Sequence, residues 1–182
     1  MLKKMRGFTL IELLIVVAII GILAALLIPN ALEAIQKAKQ KSAMKEIMVI
    51  STAGVDYMTD HGDFSAVMLG GPLLSSTALY QALSSFYVKI IPATDPWNLA
   101  YLAYTGTNVT TVITNAGTVG GDDFAVESYG RNNIATPYPG SIYTTTNPEA
   151  GRYFVGSMAD FNNDLVAWNG SWICGPRTNV GT

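Results

Sequence analysis

The sequence predicts an α+β protein: one long N-terminal α-helix, apolar enough in its first half to span a membrane, with its second half packed on a small antiparallel β-sheet. Three observations predict it. The run Phe8 to Ile28 holds a single ionisable side chain, Glu12. From Pro29 to His61 there is no further proline, and Gly54 is the lone breaker. Beyond Gly62 the texture changes to Gly-, Ser-, Thr- and Asn-rich connections between short apolar runs.

At about 1.5 Å per residue the apolar run reaches roughly 30 Å, the hydrocarbon thickness of a bilayer. Lys3, Lys4 and Arg6 precede it with no acid among them, which keeps the short leader in the cytoplasm and sends the rest across. A secretory signal peptide is the alternative. It would be cut after the apolar region, where Ala24 and Ala25 are followed by Leu26, Leu27, Ile28 and Pro29 and no A-x-A pattern precedes a polar start. The 182 residues suffice for one modest core, and at 49% hydrophobic they are too apolar for disorder. The one cysteine, Cys174, cannot close an intrachain disulfide, so the head relies on its core or on a bound ion. Lying among Trp172, Ile173 and Gly175, Cys174 reads as a small buried hydrophobe, with an intermolecular thiol contact as the alternative.

The stretch Lys4-Met5-Arg6-Gly7-Phe8-Thr9-Leu10-Ile11-Glu12-Leu13 combines a basic leader, Gly, Phe and a Glu at the fifth position from Phe8. It resembles the leader of type IV prepilins and of type II secretion pseudopilins. The resemblance implies that a membrane prepilin peptidase cuts between Gly7 and Phe8 and methylates the new Phe8 amine, so the apolar segment is retained. It implies four regions: a leader over 1–7, a transmembrane and assembly helix over 8–29, a periplasmic helical half over 30–62 and a β-rich head over 63–182.

Glu12 has a physical rationale of its own. A carboxylate in a spanning segment costs roughly 2.5–3.5 kcal/mol at the centre and less toward the end, so it needs a partner. Cleavage would create one, because a free α-amine stays largely protonated near neutral pH and methylation keeps its charge. Glu12 of one subunit can then neutralise Phe8 of the next; a contact one turn away within the chain is the other option. Gly21 and Pro29 weaken the helix by backbone entropy and by a lost hydrogen bond. The segment between them reads either as an ordinary kink or as the stretch that, in similar pilins, loses helical order on leaving the membrane.

Beyond Pro29, residues Ile35, Ala38, Ser42, Ile47, Ile50, Gly54, Tyr57 and Met58 form a stripe near helical spacing. Gly62 is placed to cap the helix, with His61 in its last turn. Lys37, Lys41 and Lys45 share a face with Glu33, either solvated or bridging subunits. Nucleic acid is a poor partner. Without Lys3, Lys4 and Arg6, eight Lys and Arg face 13 acids, a balance of −5 that repels phosphate.

In the head, Ser76-Thr77 caps a helix expected to run to Phe86. Strands are expected at 100–104, 109–113, 124–129 and 153–158, with Gly70-Gly71-Pro72 as a loop. The firmest pair is Leu165 to Trp168 with Ser171 to Cys174, joined by the two-residue turn Asn169-Gly170.

Several head segments resemble the major pseudopilin of type II secretion: His61-Gly62-Asp63-Phe64, Tyr87 to Pro92, Asp95-Pro96-Trp97 with Asn98 and Tyr101, and Phe124 to Gly130. The family's loop reads Asp-Pro-Trp-Gly-Asn-Pro-Tyr, and its Gly and second Pro are absent here. Asp160, Asn162 and Asp164 carry oxygen ligands at every second position, as calcium loops do, though Val166 stands where an EF-hand requires Gly. The resemblance implies structural Ca²⁺ here, with Asp122, Asp123 and Asn133 as lesser candidates; the alternative is a polar turn whose side chains bond their own backbone.

One His, one Cys and no nucleophile elbow or phosphate-binding Gly loop argue against an enzyme. The expectation is a homo-oligomeric helical filament served by the prepilin peptidase, an inner-membrane assembly platform and minor pilins or pseudopilins. The subunit would be a single-pass inner-membrane protein with a periplasmic head, then part of a periplasmic pseudofilament or an extracellular pilus. A secretion pseudopilin leads, ahead of a type IV pilus pilin for adhesion, motility or DNA uptake, and ahead of an anchored binding protein that never polymerises.

Overall fold

The computed structural model describes residues 7–135, 143–144 and 146–177. Two compact units divide the chain, one up to Lys37 and one from Ala38 onward. Helix α1, Leu10–His61, is continuous through Gly21 and Pro29. Pro29 has no N–H to give to the preceding turn, and next to it the Asn30 side-chain amide donates to the Leu26 carbonyl at 3.4 Å. The helix stops where Gly62 takes φ +84° and donates to the Met58 carbonyl at 2.7 Å, a left-handed cap of the kind glycine favours.

In the second unit α1 buries Gln40, Ala43, Ile47, Ile50, Ser51, Ala53, Gly54 and Tyr57. The expected stripe is therefore right from Ile47 to Tyr57 and wrong before it. Ile35 is exposed, and the buried line begins at Gln40, whose amide reaches the Tyr153 hydroxyl at 3.1 Å. A polar residue on that line is tolerated because its hydrogen bond is made.

The sheet has six strands: β1 Gly70–Pro72, β2 Leu102–Thr105, β3 Phe124–Ser128, β4 Arg152–Tyr153, β5 Leu165–Trp168 and β6 Ser171–Pro176. Their spatial order is β1-β2-β3-β5-β6-β4, antiparallel except for β4 on β6. Ala103, Val126 and Ala167 are cross-strand partners on the face toward α1. Leu102, Glu127, Val166 and Cys174 line the opposite face, which is also covered, by Val109, Val112 and Ile113 among others. Strands buried on both faces lose the alternation of apolar and polar residues that a half-solvated sheet shows.

Three expected elements differ. The segment 109–113 is no strand, since Gly106–Thr111 forms a 3-10 helix. There the Thr110 and Thr111 hydroxyls bond the carbonyls of Thr107 and Asn108, and Val109, Val112 and Ile113 turn inward at helical spacing. The strand expected over 153–158 shrinks to β4, because Ser157 and Asp160 form a reciprocal capping box that starts the turn Met158–Asn162. Gly70–Pro72, expected as a loop, pairs with β2 at the sheet's edge, where Pro is tolerated. Helix α2, Ala78–Leu83, starts on the Thr77 cap as expected and ends three residues before Phe86. The hairpin turn holds, with φ +46° at Asn169 and +80° at Gly170. Its tip is fixed to α1 by the Gly170 N–H donating to Ser51 Oγ at 3.0 Å.

Candidate functional site

The candidate site is the start of α1. Phe8 is exposed, Leu10 begins the helix, and the apolar side chains through Ile28 stand largely free of the protein's own atoms. An 18-residue window of this helix is apolar enough to cross a membrane, and none of that window is buried. So much bare hydrocarbon requires an apolar surrounding.

Glu12 is not left alone there. Thr9 occupies the cap position and Glu12 the third helical position. The Thr9 N–H and hydroxyl donate to Glu12 Oε2 at 2.9 and 2.6 Å, while the Glu12 N–H donates to Thr9 Oγ1 at 3.3 Å. This is a reciprocal capping box, satisfying backbone donors that a helix start leaves open. Sequence reasoning found Glu12 and passed over Thr9, although Thr-x-x-Glu ahead of an apolar run is itself a legible signal. Among the described residues Glu12 has no ion-pair partner, and Gly7, before Phe8, is exposed. Lys37 pairs with Glu33 at 2.7 Å on its own helix.

In the head, Asp160 Oδ2 accepts from the N–H groups of Gly156 and Ser157 and from the Ser157 hydroxyl, at 2.9, 2.7 and 3.0 Å. The backbone donors hold its carboxyl below the usual carboxylate range. Asn162 Oδ1 accepts from Arg131 Nε at 3.0 Å, and Asp164 is fully buried. These bonds are those of a polar turn, with the Arg131 guanidinium donating to one lone pair of the Asn162 oxygen. Among the described residues no three Asp, Glu, His or Cys side chains gather as a metal cage. Asp123 accepts from Trp168 Nε1 and Asn169 Nδ2, both at 2.8 Å, and from the Gly120 N–H at 2.7 Å, locking the hairpin end. Asn133 is a left-handed turn residue, and Asp122 is exposed. Cys174 is buried, donates to the Asp164 carbonyl at 3.2 Å, and has its thiol pushed up to about 12 by burial.

The loop around Asp95 is held by side-chain hydrogen bonds. Asp95 Oδ1 accepts the N–H groups of Trp97 and Leu99 at 3.0 and 2.9 Å, and Oδ2 accepts the Ser128 hydroxyl at 2.7 Å. Asn98, standing at the family's Gly position, takes φ +74°, a conformation Asn tolerates better than most residues.

A long helix with a bare apolar start, an acid held at its mouth and a small sheet packed on its other half define a pilin-like membrane-anchored subunit. The family model for the prokaryotic N-terminal methylation motif matches residues 2–28. Type II secretion system core protein G of Escherichia coli K12 is 33% identical over 104 residues, which covers 54% of this chain and 71% of that protein. The Vibrio cholerae protein of the same name is 34% identical over 107 residues, covering 55% and 73%. The chain belongs to the type II secretion system core protein G family of major pseudopilins. It is also similar to the type IV major pilin protein PilA of Myxococcus xanthus, 47% identical over 60 residues, or 33% of this chain and 27% of that one. No solved structure matches the chain.

Proposed function

We propose that this protein is the repeating subunit of a type II secretion pseudopilus, inserted once in the inner membrane with its head in the periplasm and then polymerised through α1. The observation that carries the reading is the apolar start of α1 with Glu12 as its one acid. Prepilin peptidase cuts the exposed Gly7–Phe8 bond, the new Phe8 amine is methylated, and Glu12 of one subunit meets that amine on the next. Each meeting removes a buried charge from lipid, so stacking of parallel helices is favoured. Gly21 and Pro29 are the places where the helix gives way during extraction. The role is structural and not catalytic; an assembly platform and minor pseudopilins are its partners. The identity shared with the Myxococcus xanthus pilin over a third of the chain supports a second reading, a surface pilus subunit.

The experiment is Glu12→Ala in cells that assemble fibres. The variant is expected to be cleaved and methylated at Phe8, by mass spectrometry of the mature chain, and to yield few or no fibres. Normal fibres from it, or a mature start other than Phe8, overturn the reading; a cleaved protein with no fibre even as wild type points to an anchored binding protein.

A further inference from the structure

A groove of about 300 Å³ runs along the head between α1 and the connection from α2 to β2. Met48, Val49, Ala53, Tyr87 and Val88 give it apolar walls, and Asp56 adds a carboxylate. Phe86 and Ile90 beside it are 78% and 74% exposed, a concentration of bare apolar surface in one connection. Asp60 sits next to the groove with its carboxylate on the Tyr87 hydroxyl at 3.0 Å. Lys89 is the cation of that connection and Lys45 lies one turn before Val49 on α1, so the acids Asp56 and Asp60 mark the end of the groove toward the C-terminus of α1.

The head also carries the complementary surface. Phe154 directly follows β4 and is 63% exposed. The Arg177 guanidinium lies 5.7 Å from the centre of its ring, within cation–π range. The carbonyls of Arg152 and Glu149 hold that guanidinium in place at 3.2 and 3.0 Å. The Glu149 carboxylate, 3.5 Å away and 67% exposed, pairs with that same guanidinium, and Arg152 on β4 keeps this patch one cation in excess. The result is an aromatic knob with a cation on it, opposite in sign and shape to an apolar groove with acids at its rim. β4 and β1 are the two edges of the sheet, and the groove is walled by the segment that follows β1 and α2.

We propose that Phe154 and Arg177 of one copy of this chain seat in the groove of a second copy, a head-to-tail contact between neighbouring heads. The inference rests on the filament reading and deepens it. A head-to-tail contact between two different patches closes into a ring where its rotation closes and otherwise repeats as an open helix; the filament reading takes the open helix.

The test uses the full-length chain in fibre-forming cells, with Val49→Cys and Phe154→Cys combined and mild oxidation applied. Native Cys174 is buried and does not compete. The double variant is expected to give a ladder of dimers, trimers and higher species, and each single variant only monomer. Adding Asp56→Arg is expected to thin the ladder and lower fibre yield at least about tenfold. Fibres without a ladder overturn the proposal, as does a ladder from Val49→Cys alone, a disulfide to a different protein, or a ladder undiminished by Asp56→Arg. Absence of wild-type fibres, seen before any cysteine is introduced, overturns the filament reading itself and this proposal with it.

Discussion

The ring of Phe124 lies against the backbone of Gly54 so closely that a Cβ at that helix position would fall on the ring. Phe124 stacks on Phe64 at 5.3 Å between centroids, and Phe64 on Tyr57 at 5.5 Å, so the ring has nowhere to retreat. A residue that costs α1 helical propensity is what allows α1 to meet β3.

Gly54→Ala is therefore expected to destabilise the head although Ala is the better helix former. Overpacking of this kind costs about 1–3 kcal/mol, against a propensity gain of about 1 kcal/mol. The measurement is a urea midpoint on detergent-solubilised protein; a midpoint at or above wild type would show that the Phe124 ring yields.

Glu127 supplies a pH dependence. It is buried on β3 beside Asp164, with Tyr104 donating to its Oε2 at 3.1 Å. Burial first, then the neighbouring Asp164, raises its carboxyl from an ordinary 4.5 to about 7, partly countered by Tyr104. Because the folded value lies above the unfolded one, the stabilisation is complete below about 4.5 and is lost as pH rises through 7. Tyr129, Tyr153, Cys174 and Arg152 are the other titratable groups around this acid pair. Unfolding free energy is expected to fall by about 2–3 kcal/mol from this group between pH 5 and pH 8. Glu127→Gln should flatten that slope, and equal slopes for the two proteins would refute the assignment.

Calcium in the 160–164 turn has an equally direct test. With Asp160 bonded to Gly156 and Ser157, and Asn162 to Arg131, EDTA is expected to leave the melting temperature of the full chain unchanged. A drop of several degrees, restored by added Ca²⁺, would show that an ion displaces these bonds.

The helix and the last hairpin were legible because their signals are local: a spanning apolar run, a glycine cap, an Asn-Gly turn. Where long-range burial decides, the sequence misled. Thr-Asn-Val-Thr-Thr-Val-Ile has the β-branched composition of a strand, yet its hydroxyls close a 3-10 turn and its apolar residues face inward together. Buried acids were the least legible. Asp95, Asp123, Glu127 and Asp164 sit in or beside the core, where composition alone places only hydrophobes. Asp95 announced itself merely as part of a turn motif, and its bond to Ser128 spans 33 residues. Of the candidate site, Glu12 stood out for its isolation in an apolar run, whereas Thr9 needed the geometry of its bonds to be noticed.

The middle strands β2, β3 and β5 present no exposed residue to water. Mutational drift that leaves this head folded is thus kept off these three strands and falls on the connecting loops and on the outer side of α1, where Lys41, Lys45, Val49 and Thr52 are exposed. Under the proposed filament reading, the surface presented outward is written in those exposed positions, and two relatives can wear different coats over one unchanged sheet.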